Sequence, residues 1–229
     1  MLPQTRKLLM KLSKETMTLI KNYASINPNL LLKPGKRLST ILPGPRIVSM
    51  ASIAEDFPVE FPIYDVNELL SILSLFNDPD LDFQEKVVTI TEGNSSVKYY
   101  ASAQNLVLAP TKEANLGDII ANFDLTASLL STILKTAPTL KVQNVSIVGD
   151  GATLSIVVAD KKNATSPAYS TTVGTTTQSF RANLNVDNLK MLGMDYEVSI
   201  SRRGVRFQSK TSDLVYYVAI ELDSTFPDV

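Results

Sequence analysis

The spacing of apolar and polar residues predicts many short strands broken by a few helices. Met10–Asn27 (MKLSKETMTLIKNYASIN) has a helical period. At about 100° per residue, Leu12, Thr16, Leu19, Ile20 and Tyr23 share one side, and Lys11, Lys14, Thr18, Lys21 and Ser25 the other. Ser13 is placed to cap this helix, with Glu15 in the first turn where the helix dipole favours an anion. A second helix is predicted over Val66–Phe76 behind Asp65, with Asn67, Ser71, Ser74 and Asp78 on its polar side. A third, LTASLLSTILKT, follows Asp124 and turns Ser128, Ser131, Thr132 and Lys135 outward. A short fourth is predicted over Val186–Met191 behind Asn185.

Alternating stretches between these helices read as strands. In the first half they are Asn29–Lys33, Arg37–Leu42, Arg46–Ser52, Val59–Ile63, Val87–Thr91, Val97–Ala101 and Leu106–Leu108. In the second half they are Gln143–Val148, Thr153–Ala159, Ala168–Val173, Ser179–Leu184, Tyr196–Ser201, Val205–Lys210 and Leu214–Leu222. Pro34-Gly35 and Gly149-Asp150-Gly151 mark turns, and Glu92-Gly-Asn-Ser-Ser marks a hairpin loop. The order helix, strands, helix, strands occurs twice. The expected fold is therefore α+β and duplicated: two similar domains, each with two helices packed on antiparallel sheets. The apolar-to-polar change at Ala109-Pro110-Thr111 places the boundary there, separating 1–109 from 110–229.

Composition narrows the chemistry. The chain has neither cysteine nor histidine, which removes disulfides, thiolate nucleophiles, the Ser-His-Asp triad and every His-ligated metal site. It has no GxxxxGK[ST] loop and no GxGxxG after a strand. No catalytic residue, metal ligand or cofactor is expected, and the chain is read as a non-enzyme. No apolar run reaches the roughly 18 residues of a membrane span, and the basic opening is too short for a signal peptide, so a cytoplasmic protein is expected. The net charge is −1, but it is unevenly placed. Residues 1–46 hold nine basic side chains against Glu15 alone, and residues 47–95 hold ten acidic ones against Lys86 alone. Such asymmetry is expected of a surface with one basic and one acidic side.

Four stretches carry a resemblance to a known family: MKLSKETMTLIKNYASIN at Met10–Asn27, IYDVNELLSILSLFND at Ile63–Asp78, NLKM at Asn188–Met191 and YVAIELDST at Tyr217–Thr225. They resemble the sliding clamps of T-even-type bacteriophages, the processivity rings of a replicative DNA polymerase. The resemblance runs from Met10 on, so residues 1–9 read as an extension. It implies a closed ring of three subunits around duplex DNA, opened and closed by an ATP-dependent clamp loader, in the cytoplasm of an infected bacterial host. It implies a lining of helices, which makes Lys11, Lys14, Lys21, Lys135 and Lys190 the DNA-facing residues. It also implies a pocket for the C-terminal peptide of the polymerase. The apolar linker and last strand offer Leu106, Val107, Leu108, Pro110, Ile220 and Leu222 for that pocket. Subunit contacts are expected through edge strands, with Val97, Tyr99, Tyr100 and Tyr169 as their residues. The alternative reading is a β-rich phage coat or tail protein that oligomerises without encircling DNA.

Overall fold

The computed structural model describes residues 9–227 apart from Pro45, Glu113 and Ala164. The expected extension therefore lies, except for Leu9, outside the described residues. Two compact units are present: Met1–Pro43 with Met50–Thr111, and Gly44–Ser49 with Lys112–Val229.

The first unit contains β1 (Leu9–Met10), α1 (Lys14–Ile26), β2 (Leu30–Leu32), β3 (Gly35–Ile41), the greater part of β4 (Ile47–Phe57), β5 (Phe61–Ile63), α2 (Val66–Leu73), β6 (Asp80–Gln84), β7 (Val87–Glu92) and β8 (Ser95–Tyr100). One antiparallel sheet has the order β1-β6-β7-β8, and β2 pairs with β5. The register sets Leu81 opposite Ile90, Phe83 opposite Val88, and Val88 opposite Tyr99. All five of these side chains are buried, as the two-residue period of a strand requires when one face covers a core. Phe83 meets Phe57 and Phe61 edge-on, with ring centroids 5.4 and 5.3 Å apart. On α1 the buried residues are Thr16, Leu19, Ile20, Tyr23 and Ile26: four of the expected inner stripe plus Ile26, while Leu12 precedes the helix and is half-buried. Each large apolar member contributes roughly 1.5–3 kcal/mol by leaving water. The β7–β8 hairpin has a two-residue loop, and Gly93 takes φ +56° at its first position, where a residue with a Cβ would be strained.

The second unit contains β9 (Ile119–Leu125), α3 (Ala127–Thr139), β10 (Asn144–Asp150), β11 (Thr153–Val158), β12 (Tyr169–Thr175), β13 (Ser179–Asn185), β14 (Tyr196–Ser201), β15 (Val205–Ser209) and β16 (Val215–Val218). One antiparallel sheet has the order β12-β11-β10-β13. The other runs β9-β14-β15-β16, and beside β16 lie the first residues of β4, where the Ser49 hydroxyl donates to the Val215 carbonyl at 2.9 Å.

Several expected elements differ. The fourth helix is a single 3-10 turn, Val186–Asn188. Leu189 leaves helical geometry at ψ 44°, and a helix of six residues has too few hydrogen bonds to offset its nucleation. The cap of α3 is Thr126 rather than Asp124; Asp124 lies in β9 and pairs with Lys210 at 2.6 Å. Leu106–Leu108 forms no strand, because the N–H groups of Leu106 and Val107 bond locally to Ala103 and Gln104 in a 3-10 turn. The last strand stops at Val218, well short of Leu222. Three strands are unforeseen: β1 and β9 gain partners from distant parts of the chain, and β6 forms a hairpin with β7 while also pairing with β1.

Candidate nucleic-acid interface and partner surfaces

Lys14, Thr18, Lys21 and Ser25 form the exposed face of α1. Its hydroxyls are turned back on their own helix: Thr18 donates to the Lys14 carbonyl at 2.8 Å and Ser25 to that of Asn22 at 2.6 Å. The same habit recurs on α2, where Ser71 bonds Asn67 and Ser74 bonds Ser71, at 2.8 and 2.6 Å. On α3, Thr132 bonds Ser128 and Thr139 bonds Lys135, at 3.0 and 2.7 Å. These faces are polar, yet the hydroxyl protons of these six residues are already given to the backbone. The lysine ammonium groups are left as the charged donors. A surface of this kind attracts a phosphate backbone and reads no base edges.

Both long helices start the same way. Ser13 accepts from the Thr16 N–H at 3.2 Å, and Thr126 accepts from the Leu129 N–H at 3.2 Å. Each start also takes a carboxylate from far along the chain. Glu55 of β4 accepts from the Ser13 N–H and the Thr16 hydroxyl, and Asp195 accepts from the Ala127 N–H at 2.7 Å. Burial pushes the Glu55 carboxyl up, but these hydrogen bonds outweigh it and hold the group below its ordinary value. Sequence reasoning misses both carboxylates, since nothing local marks them.

The expected DNA-facing residues fall into three settings. Lys14 and Lys21 stand on α1 and Lys135 on α3, all exposed. Lys190 is exposed just beyond the 3-10 turn. Lys11 precedes α1, and its ammonium is held by the Asp78 carboxylate and, at 3.1 Å, by the Asp78 carbonyl. The hydrogen bond to Asp78 raises the Lys11 pKa, with Asp80 and Glu92 adding to it. Glu92 in turn accepts from the Asn77 and Asp78 N–H groups at 3.1 and 2.7 Å, which fixes that loop. A groove of about 230 Å³ in the first unit is lined by Met17, Lys21, Leu70, Phe76 and Asp78 among others.

The residues expected to hold a partner peptide lie in both units. In the first, Leu106 and Leu108 are 56% and 42% exposed, with Val107 and Pro110 half-buried. Asn29 fixes this segment: its carbonyl oxygen accepts from the Leu108 N–H at 3.2 Å and its amide donates to the Tyr64 carbonyl at 2.6 Å. Tyr64 is 58% exposed, a large side chain that the sequence pattern does not single out. In the second unit Ile220 is half-buried and Leu222 fully exposed.

Of the expected contact residues, Val97, Tyr99 and Tyr100 belong to β8 and Tyr169 opens β12. Tyr100 is 66% exposed. The Tyr99 ring points inward, 6.4 Å from that of Phe61, and burial together with Glu68 and Asp65 pushes its phenol up to about 12. On one side each four-stranded sheet ends in a short segment of its own chain. β1 covers β6. The C-terminal segment covers β13: Arg181 and Thr225 exchange two hydrogen bonds of 2.8 Å, Glu221 donates to Asn183, and Phe226 stacks on Phe180. The opposite edges are β8 and β12.

Among the described residues no group of carboxylates could hold a metal ion, and no helix is long and apolar enough to cross a membrane.

Solved structures of similar fold include PCNA and the β subunit of DNA polymerase III. A. fulgidus PCNA, solved with the C-terminal region of FEN-1 bound, matches with a TM-score of 0.69 at 12% identity, covering 94% of this chain and 98% of that one. The DNA polymerase III β subunit of Pseudomonas aeruginosa matches with a TM-score of 0.67 at 16% identity, covering 96% of this chain and 66% of that one. The fold is thus that of the DNA clamps. The family model for the DNA polymerase processivity factor matches residues 13–112. The sliding clamp of Vibrio phage KVP40 is 31% identical over 224 residues, covering 93% of this chain and 99% of its own length. That of Enterobacteria phage T4 is 28% identical over 228 residues, covering 94% and 99%. The chain belongs to the sliding clamp family of T-even-type phages, and its function is that of a clamp tethering a DNA polymerase to DNA.

Proposed function

We propose that three copies of this chain close head to tail into a ring around duplex DNA, in a bacterial cell infected by the phage. In each contact β8 of one copy pairs with β12 of the next. The observation that carries this reading is the pattern of edges. Segments near the two ends of the chain pair with β6 and β13, while among the described residues no strand pairs with the outer sides of β8 and β12. β12 has seven residues with neither a charge nor a proline, an edge that natural proteins otherwise avoid exposing. Two different open edges make a heterologous contact, which closes into a ring when the rotation permits. In this assembly 1–109 and 110–229 act as two clamp domains per chain. Lys14, Lys21, Lys135 and Lys190 face the DNA, and Lys11 joins them when a phosphate displaces Asp78.

The mechanism follows from what the lining lacks. A ring stays on DNA by encirclement, so it needs only weak, sequence-independent attraction, and lysines near phosphates supply that. Hydroxyls satisfied by their own helices make no lasting bond to a base or phosphate, so the ring slides. An ATP-dependent clamp loader opens it. The polymerase is tethered by a C-terminal peptide held on Leu106, Val107, Leu108, Pro110, Ile220 and Leu222. The bound C-terminal segment in the A. fulgidus PCNA structure supports this mode of attachment. Light scattering tests the assembly. The expected mass is three times that of the chain at micromolar concentration, and a mass of one or two chains at every concentration contradicts it.

A further inference from the structure

Lys141 occupies a backbone position that ordinarily belongs to glycine. Helix α3 ends in a Schellman turn: the Val142 N–H bonds the Ala137 carbonyl at 2.9 Å and the Lys141 N–H bonds that of Pro138 at 3.1 Å. Lys141 is the residue just past the C-cap Leu140, at φ +55°. Among the described residues it is the one side chain with a Cβ at positive φ; the other five positive-φ positions are glycines. Left-handed backbone is unfavourable for a residue with a Cβ, and glycine is the usual solution at this site. The backbone of this turn favours glycine, so what lysine offers here is its side chain, whose cation also suits the C-terminal end of a helix.

The side chain is exposed and has no ion pair among the described residues. It lines a groove of about 560 Å³ together with Lys190, Asp187, Leu134, Val142 and Leu189. Lys135 stands on the last two turns of the same helix. Two exposed lysines thus share one groove. Asp187 is the acidic residue among those lining it.

We propose that Lys141 is a further phosphate-contacting residue of the second unit, holding its ammonium toward the DNA backbone beside Lys135 and Lys190. The proposal rests on the reading that α3 faces DNA. It explains a strained lysine as local stability exchanged for a cation at the end of the lining helix, a pattern known at functional sites.

Lys141→Gly separates the backbone from the charge. If the side chain contacts phosphate, the variant keeps or raises its Tm, by up to about 3 °C, since glycine suits the turn. Its association with a linear duplex oligonucleotide nonetheless weakens, and the slope of log affinity against log salt flattens by about one unit for each phosphate no longer neutralised. Lys141→Asn, which also tolerates this backbone, should behave alike. Lys135→Glu is the control for the underlying reading. If Lys135→Glu weakens DNA association while both Lys141 variants match the wild type in affinity and slope, Lys141 only ends the helix and the proposal is wrong. If Lys135→Glu has no effect either, α3 does not face DNA and both readings fall.

Discussion

The two units solve one problem with different parts. Each must hold a thirteen-residue helix against a sheet and close one side of a four-stranded sheet. α1 is started by Ser13 and Glu55, α3 by Thr126 and Asp195. The closing strand of the first unit is β1, two residues from the N-terminal side; in the second unit it is a C-terminal segment around Thr225. The units differ most at their second helix. VNELLSIL of α2 has an Asp65 cap and an unbroken apolar side, whereas the matching place in the second unit holds only the turn Val186–Asn188. The long capped helix recurs in both units, while among the described residues the second unit has only a 3-10 turn where the first has α2. Helix faces and open edges are the parts that a sliding ring uses.

If the open edges differ from the covered ones as argued, charging them should have the largest effect. Ser170→Lys with Thr172→Lys places two cations on exposed positions of β12 without touching its own core. In the proposed contact the opposing β8 carries Lys98, so like charges would oppose each other. The expected outcome is loss of the trimer at micromolar concentration, read as a single-chain mass with unchanged circular dichroism. Ser95→Lys with Ser96→Lys on β8 should do the same, because each contact needs one edge of each kind. Trimers surviving both pairs of changes would show that the contact lies elsewhere.

Smaller effects separate the two helix starts. Glu55→Gln keeps an acceptor but removes the charge at the start of α1, and should cost at most about 1 kcal/mol as a shift in urea midpoint. Glu55 titrates below its ordinary value in the folded chain, so it stabilises the fold at neutral pH. That contribution remains above the unfolded carboxyl value of 4.5 and is lost as pH falls through the lower folded value. Wild type should therefore lose stability below about pH 5 more steeply than Glu55→Gln. Asp195→Asn disturbs one hydrogen bond rather than two and should cost a few tenths of a kcal/mol. Equal acid sensitivity of wild type and Glu55→Gln would show that the carboxylate contributes nothing to α1.

Local chemistry makes much of this legible in advance. The inner stripe of α1 can be read because a 3.6-residue period is written into thirteen consecutive residues. Strand Tyr196–Ser201 can be read to its ends because turn residues flank it. β6 escapes such a reading because Asp80, Asp82 and Gln84 are poor strand formers, and the pairing with β7 and β1 decides the matter. Glu55 and Asp195 are invisible in sequence because their partners lie 42 and 68 residues away. Lys11 looks like a free cation until the loop carrying Asp78 is folded against it. Lys141 is unremarkable in sequence; only its φ shows that the position is costly for a lysine.

The proposed ring is topological: it would hold DNA by surrounding it. The direct measurement is retention of the protein, loaded by its ATP-dependent loader, on a nicked circular plasmid in high salt, followed by a single restriction cut. The account predicts that the ring stays on the circle despite the salt and runs off the ends within minutes of linearisation. Release from the intact circle at the same rate as from the cut DNA would contradict it.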